Sequence, residues 1–340
     1  MGITRKIAHG LRLTTKRTVN RLRKRVPELP SLQDVREVHR VSVADGVSLA
    51  VREIVSDDWE SESASEVAPL TIVFAHGFTL SAQSWFFQAA RLRMLPKVRM
   101  LIPDLRGHGD SPAPARHLGV DKTAADLVEA VRQLAPGDDL MLVGHSMGTM
   151  TVLGALRHMN DDERARVKAI AMINGAIDTF ASAGITQLLH SRLVRTLRRV
   201  GKRFPHKAEI VKNSVEWALE AFIATFVYHG ALEEGASAKF DIVEFHAEEI
   251  DRTSMSTVLG YLDDLSEHDE TPSAPYLQGV PGVVMVGKMD DVTPAEQTRE
   301  IAKVWDVAEK KEFPESGHML PVECPEKVNN ELVKLIDKVR

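Results

Sequence analysis

Residues 140–148 read Leu-Met-Leu-Val-Gly-His-Ser-Met-Gly, an apolar run that breaks into a glycine-flanked serine. A helical pattern, Thr149–His158, follows directly. Strand, sharp turn and helix in that order are the setting that G-x-S-x-G requires. Gly144 and Gly148 remove side-chain bulk on both sides of the turn, which lets the Ser146 hydroxyl stand above a sheet. The same turn directs the Met147 amide N–H toward the place where an oxyanion would develop, and the following helix N-terminus favours negative charge there. Ser146 is therefore the candidate nucleophile.

Further apolar runs lie on both sides of this stretch. Leu70–Ala75 and Val98–Pro103 precede it, and Ala169–Ile173 and Val283–Val286 follow it, with helical patterns between most of them. Such alternation predicts a mostly parallel sheet covered by helices on both faces. Val35–Val43 and Val47–Val55 are β-branched runs split by Asp45-Gly46, a hairpin pattern. Asp57–Glu66 reads as an acidic, serine-rich loop. Between about Ala176 and Pro281 the alternation stops, and the chain looks mainly helical. An insertion between two core strands accounts for this, and it belongs over the edge where strand ends open.

A serine hydroxyl needs a base, and the base needs an acid to hold it. Gly287–Pro294 (GKMDDVTP) follows the run Val283–Val286, and Ser316-Gly317-His318 follows a short run that ends at Phe313. His318 is the candidate base, and Asp290 competes with Asp291 as the acid. The order Ser146, Asp290, His318 is the one expected of α/β-hydrolases. His145, His76 and His108 read as turn residues satisfied by hydrogen bonds, and Asp104 and Asp110 as braces of their own turn. No His, Asp or Glu cluster has metal-ligand spacing, and neither G-x-G-x-x-G nor a Walker pattern occurs, so no metal, nucleotide or other cofactor is expected.

On these residues the chain resembles the α/β-hydrolase superfamily, in the form with a helical cap. His76-Gly77-Phe78 is similar to the family's H-G-x oxyanion loop, and Asp104–Ser111 (DLRGHGDS) to its D-x-R-G-H-G-x-S turn. The resemblance runs from about Val35 to the C-terminus and is weakest across the cap. It implies Ser146, Asp290 and His318 as catalytic residues, because Gly287, Asp290 and Pro294 fit the family's G-x-x-D with a later proline. It also implies the Phe78 and Met147 amides as oxyanion donors. The implied activity is a serine esterase or lipase-like enzyme acting on a hydrophobic ester or lipid through an acyl-enzyme. The same triad would serve an acyltransferase or thioesterase, and the fold also hosts cofactor-free peroxidases, C–C hydrolases and non-catalytic binding proteins.

The expected organisation is an N-terminal arm (1–30), a first core part (34–175), a cap (176–280) and a second core part (281–340). The cap pattern holds Leu189, Leu193, Leu197, Trp217, Phe222 and Phe226, which would either receive an acyl chain or form the cap's own core. With 340 residues, 44% of them hydrophobic and 27% charged, the chain can bury a sizeable core and is neither disordered nor fibrous. Its one cysteine, Cys324, excludes an intrachain disulfide and suits a reducing cytoplasm. The net charge of −5 conceals an asymmetry, because residues 1–26 hold nine basic residues and no acidic one. The acidic remainder does not suit nucleic acid. The arm itself reads as a basic amphipathic helix, either lying on an anionic membrane at the inner face or solvated; its interrupted apolar runs do not suit a secretory signal. Composition leaves oligomeric state open.

Overall fold

The computed structural model describes residues 31–60, 67–114, 118–178, 245–246 and 248–340. The basic arm, most of the acidic loop and most of the expected cap, including Leu189–Phe226, lie outside the described residues. Eight strands form one sheet: β1 (Glu37–Ser42), β2 (Ser48–Val55), β3 (Leu70–Ala75), β4 (Val98–Pro103), β5 (Leu140–His145), β6 (Val167–Ile173), β7 (Gly282–Gly287) and β8 (Ala308–Phe313). Their spatial order is β1-β2-β4-β3-β5-β6-β7-β8. The strands from β3 to β8 run parallel, whereas β2 pairs antiparallel with both β1 and β4. This is the α/β-hydrolase fold.

Period-two alternation of apolar side chains builds a core on each face of the sheet. On one face Val73, Leu142, Ile170, Met172 and Val284 meet α2 (Val120–Leu134) and α3 (Met147–His158). On the other, Ile72, Phe74, Met141, Val143, Ala171 and Met285 meet α1 (Phe86–Leu92) and the C-terminal helix Pro325–Val339. Gly46, at φ +81°, closes the β1–β2 hairpin, with Val43 and Val47 bonded across it.

Two boundaries differ from the sequence reading. Strand β5 continues through Gly144 to His145, because the ladder to β6 extends to the turn itself. Strand β8, AEKKEF, is an edge strand whose charged residues are exposed or half-buried. An edge strand needs no apolar run, so hydrophobic patterning found only its end at Phe313. Within the segment that joins β6 to β7, the described residues are helical at 245–252 apart from 247, at α5 (Met255–Leu265) and in a 3-10 turn (Thr271–Leu277). Two short helices, α4 (Asp161–Ala165) and α6 (Ala295–Lys303), precede β6 and β8, and α7 (Leu320–Glu323) precedes the C-terminal helix α8. No helix among the described residues is long and apolar enough to cross a membrane.

Candidate active site

The carboxyl ends of β3, β5, β6 and β7 converge where G-x-S-x-G makes its turn. Ser146, between β5 and α3, has φ 55° and ψ −121°, a conformation that a non-glycine residue rarely holds. Such strain costs about 1–3 kcal/mol and persists only when the surroundings enforce it. Here the Ser146 amide donates to the Ile173 carbonyl at 3.0 Å, and the Thr149 amide donates to the Ser146 carbonyl at 2.9 Å. Close packing explains the flanking glycines. A Cβ on Gly148 would stand 1.9 Å from the Ala75 carbonyl oxygen, and one on Gly144 would stand 2.5 Å from the Gly148 oxygen.

The loop after β8 brings His318 to this serine. Its Nε2 lies 3.0 Å from Ser146 Oγ, and its Nδ1 lies 2.9 Å from Asp290 Oδ2. A carboxylate only accepts, so Nδ1 carries the proton and Nε2 is left to receive one from the serine. Asp290, not Asp291, is the carboxylate that meets the imidazole. Its Oδ1 accepts the amides of Val292 and Thr293 at 2.8 and 2.9 Å. Its Oδ2 also receives Asn174 Nδ2 and lies 2.7 Å from Thr293 Oγ1. Burial alone would raise this carboxyl; the neighbouring imidazole and the donors from Asn174 and Thr293 outweigh it and hold Asp290 below its ordinary range.

The expected oxyanion loop abuts the elbow, since a Cβ on Gly77 would stand 3.2 Å from Ser146 Cβ. Residues 77–80 form a turn closed by the Leu80 amide on the Gly77 carbonyl, with Thr79 at φ 59°. Phe78 is held in this turn against the rings of His108 and Tyr261. The two histidines around it are fully occupied. His76 Nδ1 donates to the Gly77 carbonyl while Nε2 accepts the Leu105 amide; His108 Nδ1 donates to the Arg106 carbonyl while Nε2 accepts the Thr79 amide. Burial pushes His76 down to about 4 and His108 to about 3, so both are neutral braces. Asp104 braces the same turn: it accepts the amides of Ala82 and Asp110 and pairs with Arg52.

The same fold recurs in known proteins. Residues 72–331 match the alpha/beta hydrolase family. The chain belongs to that family. Among curated relatives, the AB hydrolase superfamily protein YisY of Bacillus subtilis is 24% identical over 274 residues, which cover 76% of this chain and 88% of that protein. Among solved structures, the esterase EaEST from Exiguobacterium antarcticum superposes with a TM-score of 0.69 at 21% identity, covering 88% of this chain and all of that one. A bromoperoxidase from Bacillus anthracis superposes with a TM-score of 0.68 at 16% identity, covering 88% of this chain and 100% of that one. The likeness to these structures is one of fold.

This family member also uses residues that sequence reasoning did not single out. Asn174, at φ 47° directly after β6, joins Asp290 to the Gly317 carbonyl through its Nδ2. Thr293 Oγ1 reaches the Asn174 carbonyl, Asp290 and, at 3.2 Å, His318 Nδ1. His145 Nε2 donates to the His318 carbonyl at 2.8 Å, and burial beside His318 drives it down to about 3, so it too stays neutral. Position at a strand's carboxyl end was the one available sign for Asn174. Among the described residues, one group could offer three metal ligands, Glu37, His39 and Glu53, on the β1–β2 edge; there Glu53 is already paired with His39 and Arg99.

Proposed function

We propose that this hydrolase-family chain is a serine ester hydrolase working through Ser146, His318 and Asp290. The observation that carries the reading is the hydrogen-bonded line from Ser146 Oγ through His318 to Asp290, at 3.0 and 2.9 Å, anchored on a strained elbow. His318 Nε2 takes the Ser146 proton as Oγ attacks the ester carbonyl. The amides of Phe78 and Met147 receive the developing oxyanion, aided by the N-terminus of α3. Collapse of the tetrahedral intermediate expels the alcohol, protonated by His318, and leaves an acyl-serine. Water, deprotonated by His318, then releases the acid and restores Ser146.

A hydrophobic substrate, such as a lipid-like ester, is supported by the surroundings of the serine. Met147 and Met150 pack in a buried cluster with Leu105, Ala176, Tyr261 and Leu265, and Phe78 packs against it. An apolar cluster next to the nucleophile suits a greasy acyl or alcohol group. The test is hydrolysis of p-nitrophenyl esters from acetate to palmitate by the intact chain and by Ser146→Ala. Hydrolysis that vanishes in the variant supports the reading, and its chain-length profile reports the pocket. An intact chain inert to every ester, or full rates in Ser146→Ala, sinks it.

A further inference from the structure

We propose that Glu323 is a positioning residue that clamps the loop carrying His318, one carboxylate oxygen accepting the amide N–H of Gly317 (Oε2, 2.6 Å) and the other that of Met319 (Oε1, 2.9 Å). The proposal rests on the reading of His318 as the catalytic base. The two amides flank the base on either side, so the carboxylate fixes the backbone from which the imidazole projects. The loop's carbonyls have other partners, and Glu323 takes its two flanking amides. The Gly317 carbonyl is taken by Asn174, the His318 carbonyl by His145, and the Met319 carbonyl by the amides of Val322 and Glu323 in α7.

The chemistry requires a carboxylate. Two N–H groups converge on two acceptor oxygens, whereas a protonated acid or a primary amide keeps one acceptor and turns a donor toward the second N–H. The groups that face Glu323 are Asp290 and His318, with Cys324 next to it in the chain. Burial and the Asp290 charge push the half-buried carboxyl up to about 7, against the pull of the two amides and His318. The fork is therefore complete above neutral pH and opens below it. Falling pH protonates the clamp, which adds one proton to the loss of activity on the acid side.

Glu323→Gln imitates the protonated clamp at every pH. Its kcat on a p-nitrophenyl ester is expected to fall by about tenfold or more through misplacement of the imidazole. KM should stay within about twofold, because no substrate contact is removed. The acid limb of kcat/KM should lose one proton of steepness, which a merely structural role would not produce. A folded Glu323→Gln protein with unchanged kcat and an unchanged acid limb overturns the clamp. Should that variant not fold, the unaltered chain decides. A Glu323 side-chain carboxyl resonance that titrates near pH 7 in step with the Gly317 and Met319 amides supports the clamp, and a Glu323 carboxyl that titrates without moving either amide overturns it. Absence of ester hydrolysis by the intact chain would sink the esterase reading instead, while the amide titration would still judge the clamp.

Discussion

Two buried aspartates stand at the carboxyl ends of strands on opposite sides of the elbow, and their surroundings set them different tasks. Asp104 follows β4 and Asp290 follows β7, and both side chains are 0% exposed. Each accepts backbone amides: Ala82 and Asp110 on Asp104, Val292 and Thr293 on Asp290. Asp104 faces Arg52 at 2.7 Å, a cation that never releases its proton, so the pair can only brace. Asp290 faces His318 at 2.9 Å, an imidazole that can take a proton from one partner and return it to another. The partner, not the carboxylate, separates structure from chemistry. The histidines obey the same division. His76 and His108 spend both ring nitrogens on the backbone, whereas His318 leaves Nε2 for Ser146.

Substitutions should separate the two aspartates. Ser146→Ala should have the largest effect, lowering kcat on an ester by up to about a millionfold with little change in the thermal midpoint. Asp290→Asn should follow, at about ten-thousandfold, because the amide can leave His318 in the wrong tautomer. Equal rates for Asp290→Asn and the intact chain would erase the distinction between the two aspartates. Asp104→Asn should act on stability instead. It takes the buried carboxylate away from Arg52 and leaves that guanidinium only the half-exposed Asp110, at a cost of about 3 kcal/mol, measured by urea unfolding. The kcat per folded, titratable serine should remain within about threefold.

The histidine contrast has a pH signature. His76 and His108 sit near 4 and 3 when folded, against 6.5 for an ordinary histidine. The unfolded chain thus binds protons below pH 6.5 that the native turn refuses, and stability must fall as pH drops from there toward the folded values. Each histidine contributes up to about 1.4 kcal/mol per pH unit in that window. Urea unfolding at stepped pH should show this fall, and His108→Asn should flatten it by one proton; an unchanged slope would contradict the neutral-brace assignment. The smallest effect is expected from Thr293→Val, which removes one hydroxyl from Asp290 and should lower kcat by about fivefold.

Most of the fold was legible because its information is local. Short apolar runs set between helical patterns announced β3 to β7, Asp45-Gly46 announced the hairpin, and the glycines around Ser146 announced the elbow. Strand β8 was not legible, since an edge strand of charged residues carries no apolar period. Asn174 and Glu323 escaped for a different reason. Asn174 meets Asp290 across 116 positions of sequence, and Glu323 acts on backbone groups, which leave no trace in residue type.

By itself, the sequence determined the order of strands and helices and the three residue types able to transfer an acyl group, because periodicity and turn chemistry act within a few residues. Asp290 was favoured over Asp291 by the resemblance alone, and the tertiary structure adds the contact itself: Asp290 meets His318, Asn174 and Thr293 surround that carboxylate, and Glu323 bonds the amides on both sides of His318. Those contacts depend on distances of about 3 Å between segments far apart in the chain, and the sheet that sets them is assembled from all eight strands at once.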